Sequence, residues 1–169
     1  MSSGKILKKE TYLFTMSEKR IYIDTSVVGG CFDAEFLEDS QQLFDNAVLR
    51  NDIKILVSNV LLFELEEAPL KVKNYLSTLP ARILEYIALN EESLFLANAY
   101  LEEGIGSEKS VSDARRVAIA TVQHASVLAS WNFKHIVNVE RIHLYNAVNL
   151  KLGYPMIEIR SPKEIIYEN

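Results

Sequence analysis

Three acids and one amide stand where an α/β chain would keep its chemistry: Asp24, Glu64, Asp113 and Asn132. Asp24 closes the β-rich run at residues 20–23 and is followed by Thr25 and Ser26. Glu64 sits among Val60, Leu61, Leu65 and Ala68 on a helix expected to start after Ser58. A carboxylate with such neighbours is costly to desolvate unless it is paired or bound to a metal. Asp113 lies in Ser-Val-Ser-Asp, ahead of a run rich in small residues, and Asn132 follows the apolar run 126–129. Brought together, these groups would offer only oxygen ligands, which select hard cations, so Mg²⁺ or Mn²⁺ suits them better than Zn²⁺. His124, His135 and His143 lack the close-spaced pair of a zinc site.

Each residue also has a plainer reading. Asp24 can cap the turn through Thr25 and Ser26, and Asn132 can be a turn residue. Glu64 can pair with a Lys or Arg distant in sequence. Ser110 with Asp113 has the spacing of a capping box. The lone cysteine, Cys31, forms no internal disulfide and reads first as a small packing residue.

The elements that must position these residues follow from periodicity and punctuation. Residues 20–23, 53–57, 82–88, 126–129 and 157–159 read as strands. Between them, 38–51, 58–67, 91–103, 110–124 and most of 133–150 read as helices. Ser58 is a good N-cap, Pro69 opens a further helix that Pro80 closes, and Gly104 with Gly106 ends the helix before them. This alternation predicts a three-layer α/β/α domain with a central, mainly parallel sheet. In such sheets, ligands bind beyond the carboxyl ends of the strands, where these acids fall.

With 169 residues, 49% of them hydrophobic and 24% charged, the chain has the size and balance of one globular domain. We expect it to span residues 20–160, with tails at 1–19 and 161–169; Met16 is an alternative start. No apolar run reaches membrane-spanning length, and residues 1–19 do not read as a secretory signal, so a cytoplasmic location is expected. The net charge of −5 runs against phosphate binding, although a bound metal reverses the local sign of gathered carboxylates.

The order Ile-Asp24-Thr-Ser, Glu64 after the second strand, Ser-Asp113-Ala-x-x-x-Ala-x-Ala-Thr, and strand-Ser130-x-Asn132-Phe resembles a PIN domain over nearly the whole chain. The resemblance implies a metal-dependent endoribonuclease and, because VapC toxins are the commonest small members, the toxin of a type II toxin–antitoxin pair. It matches Asp24, Glu64 and Asp113 to the family's acidic metal ligands; Asn132 stands where the family often has Asp. The expected chemistry is activation of a water by the metal for in-line attack on a phosphodiester. Thr25, Ser26 and Ser130 would orient water or phosphate, and Lys109, Arg115, Arg116, Lys134 and His135 would meet RNA. An antitoxin and a second copy of the chain are expected partners, with Leu61-Leu62-Phe63 and Leu94-Phe95-Leu96 as candidate faces. Two alternatives stand beside this reading: a phosphatase-like hydrolase, for which no Gly-rich phosphate loop is present, and a non-catalytic PIN-like module that binds RNA or protein.

Overall fold

A computed structural model of the chain describes residues 17–105 and 110–168. Its centre is a five-stranded sheet in the order β3-β2-β1-β4-β5, with every neighbouring pair parallel. The strands are β1 (Lys19–Ile23), β2 (Ile53–Ser58), β3 (Leu84–Ile87), β4 (Val127–Ala129) and β5 (Ile159–Arg160). The helices are α1 (Thr25–Gly30), α2 (Leu37–Leu49), α3 (Asn59–Leu65), α4 (Leu70–Lys73), α5 (Glu91–Glu102), α6 (Val111–Val122), α7 (Val139–Lys151) and α8 (Pro162–Ile166). Short 3-10 turns at Tyr75–Thr78 and Ala81–Ile83 lead into β3.

Side chains alternate across the sheet and build two cores. On one face, Ile21, Ile23, Ile55, Val57, Val127 and Ala129 pack against Val28, Leu43, Phe44, Leu61 and Ile165. On the other, Tyr22, Leu56 and Leu128 pack against Leu96, Tyr100, Val117, Ala120 and Tyr145. This is the expected α/β/α arrangement.

Local chemistry explains most boundaries. Ser58 caps α3 by accepting from the Leu61 N–H at 3.1 Å, as its position predicts. Gly104, at φ +78, follows α5 in the left-handed conformation that glycine tolerates.

Several expectations need correction. The capping box read at Ser110 and Asp113 does not form: Ser110 makes no side-chain cap hydrogen bond, and the Asp113 carboxylate is engaged by Arg116. The stretch 161–169, read as a tail, carries α8. Its start is a true capping box between Ser161 and Glu164, and its Ile165 enters the core. The last strand lies later than residues 157–159, because the Ile157 N–H donates instead to Asn146 Oδ1 at 2.8 Å. Residues 133–138 are turns rather than helix; α7 starts at its Asn138 cap. No helix among the described residues is long and apolar enough to cross a membrane.

Candidate active site

β1 is the central strand, with β2 on one side and β4 on the other. The chain runs outward from β1 through β2 and β3, then returns to place β4 and β5 on the far side. The carboxyl ends of β1 and β4 therefore flank the topological switch point. Asp24 follows β1 there. Its carboxylate caps α1, accepting from the Ser26 N–H at 3.0 Å and from Ser26 Oγ at 2.5 Å. Its other oxygen accepts from Ser130 Oγ, after β4, at 2.5 Å. Only 3% of Asp24 is exposed. The turn-capping reading holds for this residue, and Ser130 also ties it to the end of β4.

Glu64 reaches the same rim from α3. Its Oε1 accepts from Ser112 Oγ at 2.7 Å, and its Oε2 accepts from Thr25 Oγ1. Arg116 lies between Glu64 and Asp113. Its Nη2 donates to both Glu64 oxygens, at 2.5 and 2.6 Å, and its Nη1 donates to Asp113 Oδ1 at 2.6 Å. Glu64 thus has the distant cationic partner that its apolar neighbours required, and Arg116 also ties it to Asp113.

The electrostatics separate the acids. Burial pushes the Asp24 carboxyl above the usual aspartate range, against hydrogen bonds from Ser130 and Ser26 and the field of Arg116. Burial also raises Asp113, opposed by Arg116 and His135. Burial would raise Glu64 too, but Arg116, Thr25 and Ser112 together outweigh it and hold Glu64 below the usual range. Glu64 and Asp113 share the Arg116 guanidinium, and Asp24 adjoins them through the next residue, Thr25, whose hydroxyl donates to Glu64. Among the described residues, no group of three His, Cys, Asp or Glu side chains is poised as it stands to hold a metal ion. In donor chemistry and charge the acids suit a hard divalent ion; in position, a guanidinium lies between two of them.

No family model matches the sequence, and no curated protein does either. Solved structures do resemble the fold. A chain of the DNA-bound VapBC complex from Salmonella typhimurium superposes with a TM-score of 0.53 at 16% identity, covering 85% of this chain and 98% of that one. The FitAB complex bound to the IR36 DNA fragment gives 0.53 at 14% identity, with 84% and 94% covered. VapBC2 from Rickettsia felis, bound to a promoter DNA fragment, gives 0.51 at 13%, with 84% and 98% covered. The fold is PIN-like.

Within the PIN-like fold, the remaining expected residues divide. Asn132 lies in the turn after β4, where its Oδ1 accepts from the His135 N–H at 3.0 Å. That leaves one lone pair of this oxygen for any other partner. Thr25, Ser26 and Ser130 spend their hydroxyls on Asp24 and Glu64. Arg116, expected among the cations that meet RNA, is turned inward, with 13% of its side chain exposed. Arg115 and Lys134 face solvent and His135 is half-buried, while Lys109 lies outside the described residues.

Two clefts flank the acids of the PIN-like domain. One, of about 440 Å³, is lined by Asn59, Val60, Phe63, Glu64, Ser112 and Arg115. The other, of about 500 Å³, is lined by Ser26, Gly29, Gly30, Asp33, Phe36, Trp131 and Asn132. The candidate apolar triplets split: Leu61 and Leu96 are core, whereas Leu62, Phe63 and Phe95 are exposed. Ser112 is the site residue that the sequence reading missed. Its signal was its place beside Asp113 in the first turn of α6, within reach of whatever Asp113 faces.

Proposed function

We propose that this chain is a divalent-metal-dependent endoribonuclease and acts as the toxin of a type II toxin–antitoxin pair. The carrying observation is that one guanidinium joins Glu64 to Asp113 at the rim of a PIN-like sheet, beside Asp24, whose neighbour Thr25 also donates to Glu64. The likeness to VapBC and FitAB chains supports the toxin–antitoxin part through fold alone. Asp24, Glu64 and Asp113 would hold Mg²⁺ or Mn²⁺, which supplies the Lewis acidity that phosphodiester hydrolysis needs.

The chain's own groups prepare that chemistry. Ser26 and Ser130 fix both oxygens of Asp24. Thr25 and Ser112 each donate to one oxygen of Glu64. Arg115, in the wall of the cleft beside Glu64, and exposed Lys134 would meet backbone phosphates of a single strand. The exposed Phe63, 78% accessible on the cleft wall, offers an apolar contact for an antitoxin segment or a second copy.

The test is incubation with structured and single-stranded RNA in Mn²⁺ or in EDTA. Metal-dependent cutting that disappears in Asp24→Asn and Asp113→Asn supports the nuclease. Binding without cutting would replace it with a non-catalytic module, a reading favoured by the Arg116 ion pairs already made with Glu64 and Asp113. Hydrolysis of small phosphomonoesters alone would point to a phosphatase. A short neighbouring reading frame whose product binds this chain and blocks cutting would identify the antitoxin.

A further inference from the structure

We infer that Arg116 is a resident counter-ion that holds the acidic cluster closed, and that a divalent cation must displace its guanidinium to be held by the same carboxylates. This rests on the metal-dependent reading above and deepens it: the site carries its own competitor for the ion.

Four observations lead there. First, Nη1 and Nη2 of Arg116 take Asp113 Oδ1 and both oxygens of Glu64, so the guanidinium lies where a cation shared by these acids would lie. Second, the buried Nε of Arg116 has no hydrogen-bond partner among the described residues. A guanidinium with a complete set of partners would have little reason to move; this one is placed by the two carboxylates and left unsatisfied elsewhere. Third, Arg116 reaches Asp113, three residues earlier on α6, over a long stem of rotatable bonds, whereas the Asp113 carboxylate stands close to the helix backbone. Fourth, a cleft of about 440 Å³ lined by Glu64, Ser112 and Arg115 adjoins the pair, so an ion from solvent can reach the Glu64 carboxylate. Carboxylates crowded at a half-buried rim repel one another unless a cation sits among them. Arg116 supplies that cation when no metal does, and the metal-free fold is kept together by it.

Displacement predicts a sign that a merely structural arginine would not produce. Replacing Arg116 with methionine, which keeps most of the stem and removes the charge, should tighten Mn²⁺ binding by roughly tenfold or more while lowering the metal-free melting temperature. The measurement is calorimetric Mn²⁺ titration of the full chain, wild type against Arg116→Met, with melting curves in EDTA and in Mn²⁺. Tighter binding and a larger metal-induced rise in melting temperature support the inference. Unchanged or weaker binding in Arg116→Met overturns it, because the ion would then bind beside the guanidinium or depend on it. Should that variant fail to fold, NMR of the wild-type protein decides the matter during Mg²⁺ titration. The Arg116 guanidinium signals should lose their ion-paired character as the Asp24, Glu64 and Asp113 carboxyl signals move. Moving carboxyl signals with unchanged Arg116 signals overturn this inference but leave the nuclease reading intact. Carboxyl signals that stay still at saturating Mg²⁺ and Mn²⁺ overturn both.

Discussion

Ser130 Oγ donates to Asp24 Oδ2 at 2.5 Å, joining the end of β4 to the end of β1 across 106 residues of sequence. The same hydroxyl accepts from the Asn132 N–H at 3.0 Å. Ser130→Ala therefore removes a donor from a buried carboxylate and an acceptor from a loop amide. We expect a loss of about 1–3 kcal/mol in urea denaturation and a further rise of the Asp24 carboxyl, read by carbon NMR. A variant as stable as wild type would mean that water replaces the hydroxyl, and Asp24 would not be the sealed group described above.

Asp24 also sets a pH dependence. Its folded pKa is raised by burial, so the folded chain holds this proton more firmly than the unfolded chain does. Where the unfolded state binds fewer protons, stability falls as pH rises. The charge on Asp24 thus costs stability at neutral pH, and that cost fades as pH falls toward the ordinary aspartate range. Glu64, held below its usual range, acts in the opposite sense: its contribution is present above the ordinary glutamate range and is lost as pH drops through its folded pKa. In EDTA, Asp24→Asn should melt above wild type near neutral pH, with the difference shrinking on acidification. Each kcal/mol gained should appear as roughly 2–4 °C. A constant difference across the pH range would show that ionisation of Asp24 is not its source.

Gly30 is spatially constrained. A Cβ there would stand 2.4 Å from Ser40 Oγ and 2.9 Å from Trp131 Nε1, which themselves hydrogen-bond at 2.8 Å. Gly30→Ala should break that bond, lift Trp131 off its stack with Phe36, and cost about 1–3 kcal/mol. Trp131 is the single tryptophan, so its emission should shift to the red as it gains water. Unchanged emission would place the adjustment elsewhere.

Tyr100 donates to Asn149 Oδ1 at 2.5 Å inside the second core. Asn149 Nδ2 also lies 3.4 Å from both Thr121 Oγ1 and Asn146 Oδ1, linking α5, α6 and α7. Tyr100→Phe strands the Asn149 oxygen in a buried place and should cost about 1–3 kcal/mol. Urea denaturation reads that cost, and a variant as stable as wild type would mean that Asn149 finds another donor.

The sequence carried the sheet well because fully buried parallel strands leave continuous apolar runs, as at Ile55–Val57 and Ile21–Ile23. It carried the acids because an Asp directly after such a run, or a Glu among leucines, violates the local pattern. It did not carry Arg116. A basic residue three positions after an acid on a helix looks like any solvated surface pair, and only the tertiary approach of α3 turns it inward toward Glu64. The end of the chain misled for a related reason. Ile157 is buried, yet its amide is claimed by Asn146 on α7, a partner that no local periodicity reveals.

The central place of β1 has a consequence for synthesis of the chain. Its neighbour β4 is translated about a hundred residues later, and the two halves of the rim arrive with opposite halves of the sheet. Asp24 and Glu64 emerge early on the β1-β2-β3 side, whereas Asp113 and Ser130 follow. A nascent chain still on the ribosome would therefore hold two of its three acids before Asp113 arrives, and the rim would stay incomplete until most of the chain had left the exit tunnel.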